Sequence, residues 1–150
     1  MKRVLLVWEP GRAGATALSL ASRIGDAENA AVSVIGVVPH ATSGSRCGNS
    51  ALDYNAMIID VVAADVAQAC EQLRAAGVDA SSEVLIDTAG DELATFAAAG
   101  DFDLVLLPAR RRLLRAADHP VAKRLRDVVS GDVRVVASAS PAERLGGGSP

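Results

Sequence analysis

Asp103-Leu-Val-Leu-Leu-Pro108 is a continuous apolar run closed by a proline, and Val133-Arg-Val-Val-Ala-Ser138 is a second such run further along. Runs of this length, without the polar alternation of a half-solvated strand, suit strands buried on both faces of a parallel sheet. Between them stand Ala109-Arg110-Arg111-Arg112-Leu-Leu-Arg115 and an amphipathic segment, and no glycine occurs between Gly100 and Gly131. An α/β protein often carries a glycine-rich phosphate loop directly after such a strand. Here a proline and an arginine cluster hold that place.

Working outward, the same pattern recurs. Arg3 to Trp8 reads as a first buried strand, and Gly11 to about Arg23 as a helix with Leu18, Ala21 and Ile24 on its apolar face. Val32 to Val38 is a second strand, stopped by Pro39. A polar loop follows from His40 to about Ser50, and a long helix runs from about Leu52 to Ala76. In that helix Ile58, Val62, Val66, Ala69 and Leu73 recur at three- and four-residue steps, with Gly77 in the capping place. Glu83 to Ile86 is a short third strand. Thr88-Ala-Gly-Asp91 has capping-box spacing, which starts a helix that ends at Gly100. Pro120 opens a last helix through Val129, with Val121, Leu125 and Val128 on one face.

Alternating strands and helices predict a three-layer α/β/α sandwich around a five-stranded, parallel, doubly wound sheet. Ligands in such folds bind outside the carboxyl ends of the strands, where the strand order reverses. That rule directs attention to Trp8–Gly14, Val38–His40 and Pro108–Arg112. The length of 150 residues suits a single domain, here read as 1–138. Residues 139–150, closing on Gly146-Gly-Gly-Ser-Pro150, read as a flexible C-terminal tail.

Composition narrows the function. The net charge of −3 argues against a nucleic-acid binder. No window approaches the ~18 apolar residues of a membrane span, and Glu9-Pro10 cuts the N-terminal apolar run short of a signal peptide. Cys47 and Cys70 lack metal-site spacing and are too few for a disulfide framework, so both read as reduced thiols. His40 and His119 stand apart, with no Cys or carboxylate pattern at metal spacing. No Lys-Ser/Thr follows Gly11-Arg-Ala-Gly14, and no Gly-x-Ser-x-Gly elbow appears. The expectation is a cytoplasmic protein with no catalytic residues and no metal.

In order and spacing these segments resemble the universal stress protein family. Arg3-Val-Leu-Leu-Val-Trp-Glu9 is similar to its first strand, with Glu9 in the place of an Asp that contacts the nucleoside. Val32 to Val38 is similar to its second strand, and Glu71-Gln-Leu-Arg-Ala-Ala-Gly77-Val78 to the end of its long helix. Asp91 to Leu107 matches its third helix and fourth strand without a gap, and Val121-Ala-Lys-Arg-Leu-Arg126 with Val133-Arg-Val-Val136 its last helix and strand. The resemblance covers roughly residues 3–138.

The resemblance also implies a ligand site, and here the chain departs from it. ATP-binding members carry G-x-x-G, a spacer, then Gly-Ser or Gly-Thr before the last helix. Pro108 and Arg111 stand where the two glycines would be, His119-Pro120 stands near the Gly-Ser position, and the spacer is shorter. Glycine lets a backbone close on phosphates and offer its N–H groups; proline has no N–H and arginine fills the space. The expectation is therefore a regulatory, stress-response module that does not bind ATP in the family's usual way, and no cofactor.

The alternative is ATP or AMP held by Arg110, Arg111 and Arg112 in place of the glycine loop, since guanidinium groups grip phosphate with two donors. Glu9, Val38, Pro108 and Arg110–Arg112 form the candidate cleft. Another small anion in the same cleft is a third possibility. Trp8, the sole tryptophan, reads as a residue capping the sheet or filling the nucleoside pocket. The family's habit of pairing last strands implies a homodimer through Val133 to Ser138, an edge apolar enough to seek a partner. A separate protein partner is also in view; nucleic acid and membrane are not.

Overall fold

Burial on both faces is what the apolar runs demand, and a five-stranded parallel sheet between two helical layers supplies it. A computed structural model describes residues 2–38, 48–87, 90–109 and 120–137, with the side chains of 48–56 and 120 left aside. The elements are β1 (Arg3–Trp8), α1 (Arg12–Glu28), β2 (Ala31–Val38), α2 (Gly48–Ala75), β3 (Asp79–Ile86), α3 (Asp91–Ala99), β4 (Leu104–Pro108), α4 (Pro120–Val128) and β5 (Asp132–Val136). The sheet order is β3-β2-β1-β4-β5, all parallel. The order reverses between β1 and β4, the doubly wound arrangement expected from the sequence.

Alternate residues of each strand divide between two cores. Val4, Leu6, Val32, Val34, Leu104 and Leu106 meet Ala17 and Ala21 of α1 and Val66, Ala69 and Leu73 of α2. Leu5, Val7, Ile35, Val105, Leu107 and Val133 meet Leu93 and Ala97 of α3 and Ala122 and Leu125 of α4. With few aromatic rings available, close packing of Val, Leu and Ala carries the core. Each fully buried Leu or Val contributes roughly 1.5–3 kcal/mol relative to exposure.

Boundaries differ from the sequence reading in informative ways. α1 continues to Glu28, because Asn29 takes the left-handed conformation and its N–H donates to the Gly25 carbonyl. α2 begins at Gly48, inside the stretch read as loop. It ends as expected: Gly77 has φ +85°, its N–H donates to Arg74 O, and the Val78 N–H donates to Leu73 O. That pair of bonds is a Schellman cap.

β3 starts at Asp79, four residues earlier than its apolar stretch suggests. It is an edge strand whose exposed Ser81, Ser82 and Glu83 give no hydrophobic signal. The inward face of α4 is Ala122 and Leu125, continued by Val129 just past its end, while Val128 is 43% exposed. This corrects the face drawn through Val121, Leu125 and Val128, although Val121 still packs at the margin of the core.

At the start of α3, Thr88, the cap read from the sequence, lies outside the described residues. The N-cap residue of α3 is Gly90, which makes no side-chain cap bond. The acceptor is Asp87, the one buried charged residue among those described. Its Oδ1 accepts the Gly90 N–H at 3.0 Å and its Oδ2 accepts the Leu93 N–H at 2.9 Å. Two of the orphan donors of the helix start are thus satisfied from a position just before Thr88.

Candidate functional site

The carboxyl ends of β1 and β4 lie side by side, as the register Leu5↔Val105 and Leu6↔Leu106 requires. From β1 the chain turns directly into α1. Gly11 makes the turn with φ +102°, a conformation open to glycine. Gly14 is needed for a different reason: a Cβ there would lie 1.7 Å from the Glu9 carbonyl oxygen. The first turn of α1 therefore closes onto the end of β1, fixing where Glu9 and Trp8 stand.

The result is a cleft of about 210 Å3 between the β1–α1 turn and α2. Trp8, Glu9 and Gly11 line one side, and Asp65, Gln68 and Gln72 of α2 line the other. Trp8 is half-buried and packs against the core beneath α1 and α2. Two carboxylates and no cation line this cleft among the described residues. It lies below the roughly 300–1,000 Å3 usual for a small-molecule site.

Of the candidate residues read from the sequence, Glu9 lines this cleft. Val38 does not: it ends β2 with its side chain 2% exposed, and its carbonyl accepts the Asp87 N–H at 2.9 Å. Pro108 is the last residue of β4, buried, and paired with Val136 of β5. The Ala109 N–H then donates to Val136 O at 2.8 Å. So the first backbone amide after Pro108 faces the neighbouring strand. Arg110, Arg111 and Arg112 lie outside the described residues, as do Cys47, His40 and His119. Cys70 is a buried free thiol on α2. No helix among the described residues is long and apolar enough to cross a membrane.

The sequence reading missed the α2 side of the cleft. Asp65, Gln68 and Gln72 recur at three- and four-residue steps, flanking the apolar stripe that runs through Val66, Ala69 and Leu73. That polar border is the signal from which they were legible.

Known structures give this arrangement a lineage. The UspA universal stress protein of Lactobacillus plantarum is similar, with a TM-score of 0.69 and 15% identity, covering 90% of this chain and 97% of that one. A universal stress protein in complex with cAMP is similar at a TM-score of 0.62 and 16% identity, covering 91% and 97%. One from Archaeoglobus fulgidus in complex with dAMP follows at 0.61 and 14%, covering 91% and 98%. At such identities these likenesses speak for the fold alone. No curated protein matches the chain. Family membership rests on a sequence model instead: that of the universal stress protein family matches residues 1–137, and the chain belongs to that family.

Proposed function

We propose that this universal stress protein acts as a stress-response regulatory module, without catalysis, and that it does not bind ATP in the manner of the family's glycine-loop members. The observation that carries the proposal is Pro108. By the motif resemblance it stands at the first glycine of the phosphate cradle, and it is a buried strand residue held against Val136. It has no N–H to give, and the next amide is already bonded to Val136 O.

The cleft at the end of β1 supports the same reading. Its Glu9 and Asp65 carboxylates oppose a triphosphate, and like charges brought together in a partly desolvated site cost binding. Mass spectrometry of small molecules released from protein purified without added nucleotide tests the proposal. The expected result is no adenine nucleotide in stoichiometric amount. About one nucleotide per chain overturns it.

A second reading has its own support, because the cAMP and dAMP complexes of similar proteins name an adenine mononucleotide as a ligand class. In that reading Arg110, Arg111 and Arg112 replace the backbone amides and grip a single phosphate. Glu9 then lines the cleft beside the phosphate, while Val38 and Pro108 stay buried at their strand ends and support it from beneath. Replacing all three arginines by alanine abolishes any AMP affinity if the reading holds. An unchanged affinity rules it out.

For assembly, we propose a homodimer through β5. Among the described residues the strand closes the sheet order and pairs with β4 alone, so its other edge offers backbone groups to a partner strand. Ser138, the end of the edge read from the sequence, lies outside the described residues. The proposed setting is the cytoplasm, with regulation exerted through dimerisation or contact with another protein.

A further inference from the structure

The cleft beside Trp8 is one end of a longer groove. A second cavity, of about 450 Å3, adjoins it between α1 and α2 and shares Ala15, Leu18 and Gln72 as lining. Ser19, Ser22 and Arg23 line the far end. The groove therefore changes sign along its length, with carboxylates at the Trp8 end and a guanidinium at the other. Leu18 is common to both cavities, and Leu73 lines the second, giving the middle an apolar character.

Among the described residues neither half-buried Asp65 nor exposed Arg23 makes a hydrogen bond or an ion pair. Among the described residues Ser19 and Ser22 make no side-chain hydrogen bond, whereas Thr16 on the same helix donates to Arg12 O. Glu9 precedes the amino end of α1, whose partial positive charge it offsets. Asp65 is then the carboxylate left to face the groove. Trp8 adds a ring on which a cation can rest.

We propose that this groove binds an elongated zwitterion. Its ammonium group sits with Asp65 and Trp8, an aliphatic middle crosses Leu18, and its carboxylate meets Arg23 with Ser19 and Ser22. From Ala15 to Arg23 is about 12 Å along α1, at roughly 1.5 Å per residue. That span excludes short amino acids and selects ω-amino carboxylates with a chain long enough to reach both ends. A polyamine is excluded as well, because its second ammonium group would face Arg23. The inference goes beyond the nucleotide question. Its ammonium end is the cleft weighed above, but it calls on Asp65, Arg23 and the groove between α1 and α2 and not on the end of β4, so zwitterion titration and nucleotide release test the two readings separately.

The sole tryptophan makes the test simple, since Trp8 emission reports on the groove directly. Titrating 8-aminooctanoate into the full chain is expected to give a saturable change with a midpoint below about 1 mM. Octanoate, which lacks the ammonium, and 4-aminobutanoate, which is too short, are each expected to bind at least about tenfold more weakly. Asp65→Asn and Arg23→Gln should each weaken 8-aminooctanoate about tenfold, and neither removes an ion pair or hydrogen bond among the described residues, so both variants keep the wild-type unfolding midpoint. The proposal is overturned by an unsaturable signal, by octanoate or 4-aminobutanoate binding as tightly as the long zwitterion, or by either variant titrating like wild type.

Discussion

Replacing Asp87 by alanine removes both acceptors that hold the start of α3. The carboxylate takes the Gly90 and Leu93 N–H groups at 3.0 and 2.9 Å and is 9% exposed. Hydrogen bonds to a charged group are worth about 1.5–3 kcal/mol each, but water reaching a helix end recovers part of the loss. Loss of a side-chain N-cap alone costs about 0.5–2 kcal/mol. Because two donors are stranded at a nearly buried site, the loss exceeds that of a single cap, and about 2.5 kcal/mol is expected for Asp87→Ala.

Asp87→Asn keeps one acceptor oxygen but turns an NH2 toward the second donor, so about 1–1.5 kcal/mol is expected. At about 2–4 °C per kcal/mol for a domain of this size, the alanine variant melts about 5–10 °C lower. Urea unfolding followed by circular dichroism should show a lower midpoint with an unchanged slope. The capping assignment is refuted if Asp87→Ala lies within about 0.5 kcal/mol of wild type, the range of an uninvolved surface change. It is equally refuted if Thr88→Ala costs more than Asp87→Ala.

Three further outcomes follow from the packing. Gly14→Ala pits a helix-propensity gain of about 1 kcal/mol against a Cβ placed 1.7 Å from a backbone oxygen; the clash should win, with net destabilisation of about 2 kcal/mol or more by urea unfolding. Net stabilisation would show that the β1–α1 turn yields freely. Leu125→Ala, at a residue with no exposed surface, should cost about 2–5 kcal/mol, against less than about 1 kcal/mol for Val128→Ala on the outer side of α4; equal costs would restore the face read from the sequence. Sedimentation at tens of micromolar should give a dimer, and Val135→Glu, on the free-edge strand β5, should shift it toward monomer; a wild-type monomer removes the β5 interface.

The fold was legible because its central strands are buried on both faces. Val4–Val7 and Leu104–Leu107 have no polar residue to interrupt them, and nothing but a parallel sheet accounts for such runs between helices. Legibility fell where burial is one-sided or where a local signal lies. The outer half of β3 is polar because it is an edge. Gly25 and the glycines around Gly48 look like punctuation, yet Gly25 sits inside α1, where the Val78 side chain packs against it and leaves no room for a Cβ.

The cap at Asp87 stayed hidden for a related reason. Thr88, outside the described residues, offered a motif of the right spacing, while Asp87 accepts from across two intervening residues. Within the site, the missing N–H at Pro108 was legible, since it is a property of the residue type. The α2 wall of the cleft was not, because Asp65, Gln68 and Gln72 look like any solvated border until α1 closes over them.

Calorimetric titration of ATP, and separately of AMP, into the purified chain addresses the phosphate cradle itself. With Pro108 in the strand and the next amide bonded to Val136 O, ATP should give no saturable heat at micromolar concentrations. A one-to-one isotherm with a Kd in the micromolar range or below would contradict the loss of the cradle. Its disappearance on replacing Arg110, Arg111 and Arg112 by alanine would transfer the site to the arginines.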